Sequence, residues 1–124
     1  MSKAKVFRWD EVEEETLKKG VKRKFIHGEQ AMIARFDLTK GEVVPEHAHH
    51  NEQLSYIVSG SLKFILGGKD EVIVRAGEVL VIPSNLPHSA ETLEDCIAID
   101  VFSPPRQDWI DKTDAYLREE VAAR

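Results

Sequence analysis

Between residues 21 and 103 the apolar side chains recur mostly at every second position, in short runs that glycines interrupt. A period of two puts alternate side chains on opposite faces of a strand, whereas a helix needs spacings of three and four. Met32-Ile33-Ala34-Arg35-Phe36-Asp37-Leu38 alternates and runs into the turn Thr39-Lys40-Gly41. Leu54 to Ser59 alternates up to Gly60, and Leu62, Phe64 and Leu66 line one face of the next run. Gly67-Gly68-Lys69-Asp70 reads as a hairpin turn, followed by Val72, Val74 and a second turn at Ala76-Gly77-Glu78. Val79-Leu80-Val81-Ile82 is continuously apolar, the pattern of a strand buried on both faces, and Ile97 to Phe102 is the last clear strand. Six or more short strands at this spacing predict an all-β sandwich or barrel. The chain of 124 residues is long enough for one such core without disulfides.

The flanks differ in character. Residues 10–19 predict one short surface helix, with Asp10 as N-cap, acidic residues in the first turns, Lys18 and Lys19 in the last, and Gly20 as its stop. After Ser103-Pro104-Pro105 a terminal helix is predicted to start at Thr113 or Asp114 and run toward Arg124. The expected organisation is an N-terminal extension over 1–20, a barrel over 21–103 and a helical tail over 104–124. No repeat, second domain or DNA-reading helix is visible. With 17 basic against 22 acidic residues the formal charge is −5, and no basic stripe suits nucleic acid or an anionic membrane. Cys96 is the single cysteine and sits in an apolar run, so it reads as a small buried hydrophobe. Without a leader-like segment or a run of about 20 apolar residues, the expected location is the cytoplasm.

Four of the five histidines fall in two short stretches, His47-Ala48-His49-His50-Asn51-Glu52-Gln53 and Ile82-Pro83-Ser84-Asn85-Leu86-Pro87-His88. Clustered imidazoles with an oxygen donor nearby are what a divalent transition metal such as Mn, Fe, Ni or Zn requires. On a strand His47 and His49 share a face, and Gln53 has the same parity, while His50 and Glu52 have the opposite one. His88 must come from another strand, with Pro83 and Pro87 stiffening its approach. Three imidazoles and one oxygen leave open positions on the ion, the mark of a catalytic site. His27, next to Gly28, reads as a turn or surface residue.

A further pattern lies at the end of the strand region. Asp100 and Phe102 share a face with Ala98, opposite Ile97, Ile99 and Val101. If those three aliphatics pack in the core, Asp100, Phe102 and Arg106 sit at the mouth of the barrel. An Asp in an apolar strand is costly to bury unpaired. The plainer alternative is a salt bridge from Asp100 to Arg106 or Arg35.

Gly41, His47, His49, Gln53 and Gly60, followed by Gly77, Pro83 and His88, resemble the two signatures of the cupin (RmlC-like) superfamily. Gln53 stands where that pattern usually has Glu, Asn85 where it has Gly, and Thr92 where it has Asn. The resemblance implies a small double-stranded β-helix, or jelly-roll barrel, with a short C-terminal helix here. It also implies a metal held by His47, His49, Gln53 and His88, and a homodimer, with exchange of the strand from Lys22 to Ile26 as one way to form it. Asp100, Phe102 and Arg106 at Asp-x-Phe-x-x-x-Arg spacing are more narrowly similar to the KdgF-type cupins of pectin degradation. That resemblance implies a metal-dependent enzyme opening 4,5-unsaturated uronates, derived from pectin or alginate, to linear keto sugars. Arg106 would grip the substrate carboxylate in bidentate fashion and Asp100 would move a proton. Phe102 would wall the pocket. Arg35 and Tyr56 are further pocket candidates, with a purely structural role as the plainer reading of each. Two other readings stand beside it. One is a cupin dioxygenase for a flavonol or diketone, or another small-molecule isomerase. The other is a non-catalytic module binding a sugar or small acid.

Overall fold

The computed structural model describes residues 3–117. Ten strands form two antiparallel sheets. They are β1 (Glu15–Lys18), β2 (Val21–His27), β3 (Met32–Leu38), β4 (Val43–His47), β5 (Glu52–Ser59), β6 (Ser61–Leu66), β7 (Asp70–Arg75), β8 (Val79–Ile82), β9 (His88–Thr92) and β10 (Cys96–Ser103). One sheet runs β1-β2-β3-β10-β5-β8 and the other β4-β9-β6-β7. This is the expected all-β jelly roll. A short helix, α1 (Gln107–Ile110), and a 3-10 turn at Ala115–Leu117 follow the last strand. The rest of the predicted terminal helix lies outside the described residues. No helix among those described is long and apolar enough to cross a membrane.

Alternation sets the core. Ala34, Phe36 and Leu38 of β3 point inward, with Ile57 of β5 and Ala98 and Phe102 of β10, and all are buried. Ile97, Ile99 and Val101 are only half-buried, on the other face. The parity expected for β10 therefore holds and its sidedness is reversed: Ala98, Asp100 and Phe102 face the barrel interior. The small Ala98 leaves space there for its larger neighbours. Val79 and Val81 are 53% and 54% exposed, so β8 is buried on one face, not two. It is the last strand of its sheet, and nothing among the described residues covers its outer side.

The predicted helix over residues 10–19 does not form. A 3-10 turn spans Trp9–Glu11, and Glu15–Lys18 is a strand paired with β2. Leu17 is buried in the core, and a strand lets this single apolar residue point inward while its neighbours stay outside. Gly20, at φ +87°, belongs to the turn joining β1 to β2. Gly60 is more constrained still. Its φ is +82°, and a Cβ there would lie 2.2 Å from the Asp95 carbonyl oxygen.

The region after β10 folds back over one end of the barrel. Trp109 packs edge-on against Phe36 and Phe102. Arg23, wholly buried on β2, donates to Asp114 at 2.7 Å and to Glu15 at 2.8 and 3.0 Å. Breaking a buried pair strands a charge, which costs several kcal/mol, whereas an exposed pair contributes little. Asp114→Ala is therefore expected to lower unfolding free energy by about 3 kcal/mol. Glu14→Ala, which removes the exposed partner of Lys22, is expected to change it by less than about 1 kcal/mol. Urea denaturation of the two variants checks the contrast.

Candidate metal centre

His47 ends β4 and pairs in register with His88, the first residue of β9. His49 lies beyond the strand, in the loop leading to β5. The strand-parity argument for His47 and His49 thus stops one step short, yet the loop brings His49 to the same place. The ring centroids lie 4.3 Å apart for His47 and His88, 5.0 Å for His49 and His88, and 5.5 Å for His47 and His49. One ligating atom from each lies within 4.8 Å of the others.

Each imidazole is oriented by a backbone carbonyl. Nδ1 contacts the Pro45 oxygen in His47 at 2.9 Å, the Asn51 oxygen in His49 at 3.0 Å and the Leu86 oxygen in His88 at 2.9 Å. A carbonyl can only accept, so each Nδ1 carries the hydrogen and each neutral ring keeps its Nε2 lone pair. Such outer hydrogen bonds orient metal-binding histidines. Burial pushes His47 and His49 from 6.5 down to about 4 and lowers His88 as well. The neighbouring Arg106 charge acts in the same direction on all three. At neutral pH the three rings are uncharged, the form that can bind a metal.

Gln53 lies beside His49. It is buried on the inner face of β5, while Glu52 and His50 point outward and are exposed. Its amide nitrogen donates to Ser55 Oγ at 2.9 Å and to Asp100 Oδ2 at 3.4 Å. Its Oε1 is thereby turned toward His49 Nε2, 3.1 Å away. Two atoms that both offer lone pairs face one another, and His88 Nε2 is buried with no hydrogen-bond partner. A stranded buried polar atom of this kind costs roughly 1–3 kcal/mol. A divalent cation accepts from all of them, so the donors fit a metal.

The loops carrying these ligands are tied together. Asn85 adopts φ 67°, the left-handed backbone that Asn tolerates, and its N–H donates to the His49 carbonyl at 2.8 Å. Ser84 Oγ donates to the His50 carbonyl at 2.6 Å. Asn51, whose carbonyl holds His49, donates through its side chain to the Pro104 and Pro105 carbonyls at 2.6 and 3.2 Å. This fixes the approach to Arg106.

Asp100 lines the cavity beside Gln53. Burial raises its carboxyl from 3.8 to about 6, against the opposing pull of Ser55 and Arg106. Neither salt bridge weighed for it forms: Arg106 binds Asp108 through Nε and Nη2 at 3.0 and 2.9 Å, and Arg35 binds Asp37. Phe102 stands edge-on to His49, with centroids 5.7 Å apart. Arg35 and Tyr56 lie on the outer face of their sheet and do not line the cavity. His27 is exposed, as expected. Sequence reasoning missed Tyr116, whose ring lies 4.6 Å from that of His47. It sits in a polar tail with no periodicity to mark it.

The cavity encloses about 70 Å³, and most of its lining is apolar. Residues 34–102, more than half of the chain, match the cupin domain model. The chain belongs to the cupin family. Among solved structures this cupin is similar to KdgF from Halomonas sp., at 29% identity and a TM-score of 0.79, covering 86% of this chain and 98% of that one. It is also similar to an RmlC-like cupin from Shewanella frigidimarina, at 29% identity and a TM-score of 0.78, covering 88% and 99%. Over 73 residues it is 32% identical to nitrosourea synthase of Streptomyces achromogenes, which covers 59% of this chain but only 16% of that enzyme.

Two outcomes follow from the lone-pair geometry. The purified cupin is expected to carry about one equivalent of a divalent transition metal, and His88→Ala to lose it, by elemental analysis. In the metal-free protein His47 and His49 are expected to titrate by NMR near pH 4, not near 6.5. Because their folded values are lowered, these rings bind fewer protons than in the unfolded chain. Their contribution to stability is present above about 6.5 and is lost as pH falls toward about 4. Asp100, whose value is raised, acts with the opposite sign between 3.8 and about 6.

Proposed function

We propose that this cupin is a metal-dependent enzyme that opens 4,5-unsaturated uronates to linear keto sugars. The observation that carries the reading is Asp100. It is a cavity carboxyl tuned to about 6, held by the Gln53 amide beside three converging imidazoles, with Arg106 lining the same cavity. Similarity to a structure described as KdgF supports the substrate class.

The net change is an isomerisation. A proton leaves the anomeric hydroxyl, the bond from C1 to the ring oxygen breaks, and a proton arrives at C4. An aldehyde is left at C1 and a ketone at C5. A divalent ion held by His47, His49, Gln53 and His88 would supply Lewis-acid polarisation of a bound oxygen. The ligands contribute no negative charge, so the centre keeps its full attraction for a carboxylate. Asp100, with its carboxyl near neutrality, can both accept and return a proton. Gln53 holds that carboxyl in place. Phe102, 1% exposed, excludes water from this side. Arg106 cannot use its Nε–Nη2 edge for substrate, because Asp108 occupies it. Its Nη1 makes no hydrogen bond among the described residues and is the available donor.

The test is loss of the ultraviolet absorbance of an unsaturated uronate. Metal-loaded protein is expected to accelerate it and chelator to abolish the effect. Asp100→Asn is expected to lower the rate by about a hundredfold or more with metal retained. A metal-loaded protein that leaves several unsaturated uronates untouched overturns the proposal. The apolar lining favours a second reading, a dioxygenase for a largely apolar substrate, which oxygen uptake would reveal. Tight ligand binding without turnover would indicate a binding module.

We further propose a homodimer. Residues 22–26 lie in β2, which within one chain is bonded to β1 on one side and β3 on the other. The six-stranded sheet offers a different surface. Ile26, Ile33, Val101, Leu54 and Val81 form one outward row across five strands, and Ile99, Tyr56 and Val79 lie in the next. An apolar face this broad usually marks an interface. Two copies of one twisted sheet pack face to face at about 10 Å. Light scattering is expected to give a dimer, and Val81→Lys to give a monomer that still binds metal.

A further inference from the structure

Two buried hydrogen-bond donors converge beside the metal centre, on a group that belongs to the tail. Arg106 Nη2 donates to the Tyr116 hydroxyl in a short hydrogen bond. Trp109 Nε1 is fully buried without a hydrogen-bond partner among the described residues, and it lies close enough to act on the same hydroxyl. A guanidinium and an unpartnered indole N–H on one side of a cavity can together receive an anionic oxygen. What stands there is a phenol that burial keeps protonated, above its ordinary value. A neutral oxygen is a weaker partner for a guanidinium than a carboxylate is.

Tyr116 also fills space. Its ring covers His47, and with it in place the cavity encloses only about 70 Å³. Sites for small ligands start at roughly 300 Å³, so a sugar ring does not fit until something moves. The fastening of the tail shows what can. Asp114 is clamped to Arg23 at 2.7 Å, and Trp109 is locked in the core. Among the described residues the turn Ala115–Leu117 makes one backbone hydrogen bond, from Leu117 N–H to the Asp114 carbonyl at 3.1 Å, and Leu117 is buried in the core. With Asp114 clamped and Leu117 packed, movement falls to the Tyr116 side chain between them.

We propose that Arg106 and Trp109 form a carboxylate subsite that Tyr116 closes in the free protein, its hydroxyl standing where an oxygen of the ligand's carboxylate will stand. The inference rests on reading the cavity as a site for a small anion. When the carboxylate enters, the Tyr116 ring swings off His47 and both cavity and donors become available together. The second Nη2 hydrogen, released from Tyr116, then joins the free Nη1 to offer the outer edge of the guanidinium. The bidentate grip that Asp108 denies on one edge becomes possible on the other.

The probe is a saturated uronate, galacturonate, which lacks the alkene and is not turned over, with its neutral methyl ester as control. Binding is measured by calorimetry to metal-loaded wild type, Tyr116→Phe and Tyr116→Ala, with metal content confirming that each variant is folded. The subsite predicts that both variants bind galacturonate about tenfold tighter than wild type, because no hydroxyl has to be displaced from a charged donor. The ester should gain little. Unchanged or weaker binding in the variants overturns the proposal and makes Tyr116 a ligand-binding residue or a plain structural cap. An equal gain for the ester also overturns it, since Tyr116 would then block by bulk alone. No binding of galacturonate to any form overturns the subsite itself. Binding with the expected gain, but without turnover of unsaturated uronates, removes the proposed reaction and leaves the subsite standing.

Discussion

Trp109 is the contact on which the functional end of this barrel depends. Its indole lies between two guanidinium groups, Arg23 at 4.1 Å and Arg106 at 4.8 Å from the ring. Its edges pack on Phe25, Phe36 and Phe102. A desolvated cation over an indole contributes up to about 2 kcal/mol, so one side chain holds two charges that would otherwise be costly to bury. The two cations serve different ends. Arg23, answered by Glu15 and Asp114, fastens the tail to β2. Arg106, answered by Asp108, brings positive charge to the three histidines and Asp100. The ring thus couples the fold's closure to the electrostatics of the site.

That coupling explains the charge layout. The imidazoles are neutral, the amide is neutral, and the nearest carboxyl is poised between its two forms. The fixed positive charge sits to one side. A site arranged this way keeps the full charge of a bound ion for the ligand, where a glutamate in place of Gln53 would cancel part of it.

Much of this was readable from the chain. Period-two alternation gave most of the strands, and the two histidine stretches gave the three clustered imidazoles, because both signals are local. Gln53 was favoured over Glu52 by parity together with the spacing of the cupin signature, and it is Gln53 that is buried while Glu52 is exposed. What failed was less local. Glu15–Lys18 carries helix-like charges, but the burial of Leu17 and the Arg23 pair, eight residues on, make it a strand. Burial on both faces was assigned to β8 from its apolar content, which cannot tell a covered face from an uncovered one. In β10 the same limit reversed the sidedness: the aliphatics looked like core, yet the small Ala98 and the polar Asp100 face the interior. Tyr116 and Asn51 were invisible because their partners are distant in sequence: Tyr116 meets His47, and Asn51 meets Pro104 and Pro105.

The carbonyl locks on the three histidines carry one more consequence. Each ring has its Nδ1 hydrogen engaged by backbone, and its Nε2 lone pair is committed once a metal is bound. None of the three can ferry a proton across the cavity. In the reaction proposed above, Asp100, held on one wall by Gln53 and Ser55, would then carry the proton and would face a bound molecule from one side. A reaction run through it would be handed: in heavy water, the carbon receiving hydrogen there would take its deuterium on one face and become a stereocentre by isotope alone.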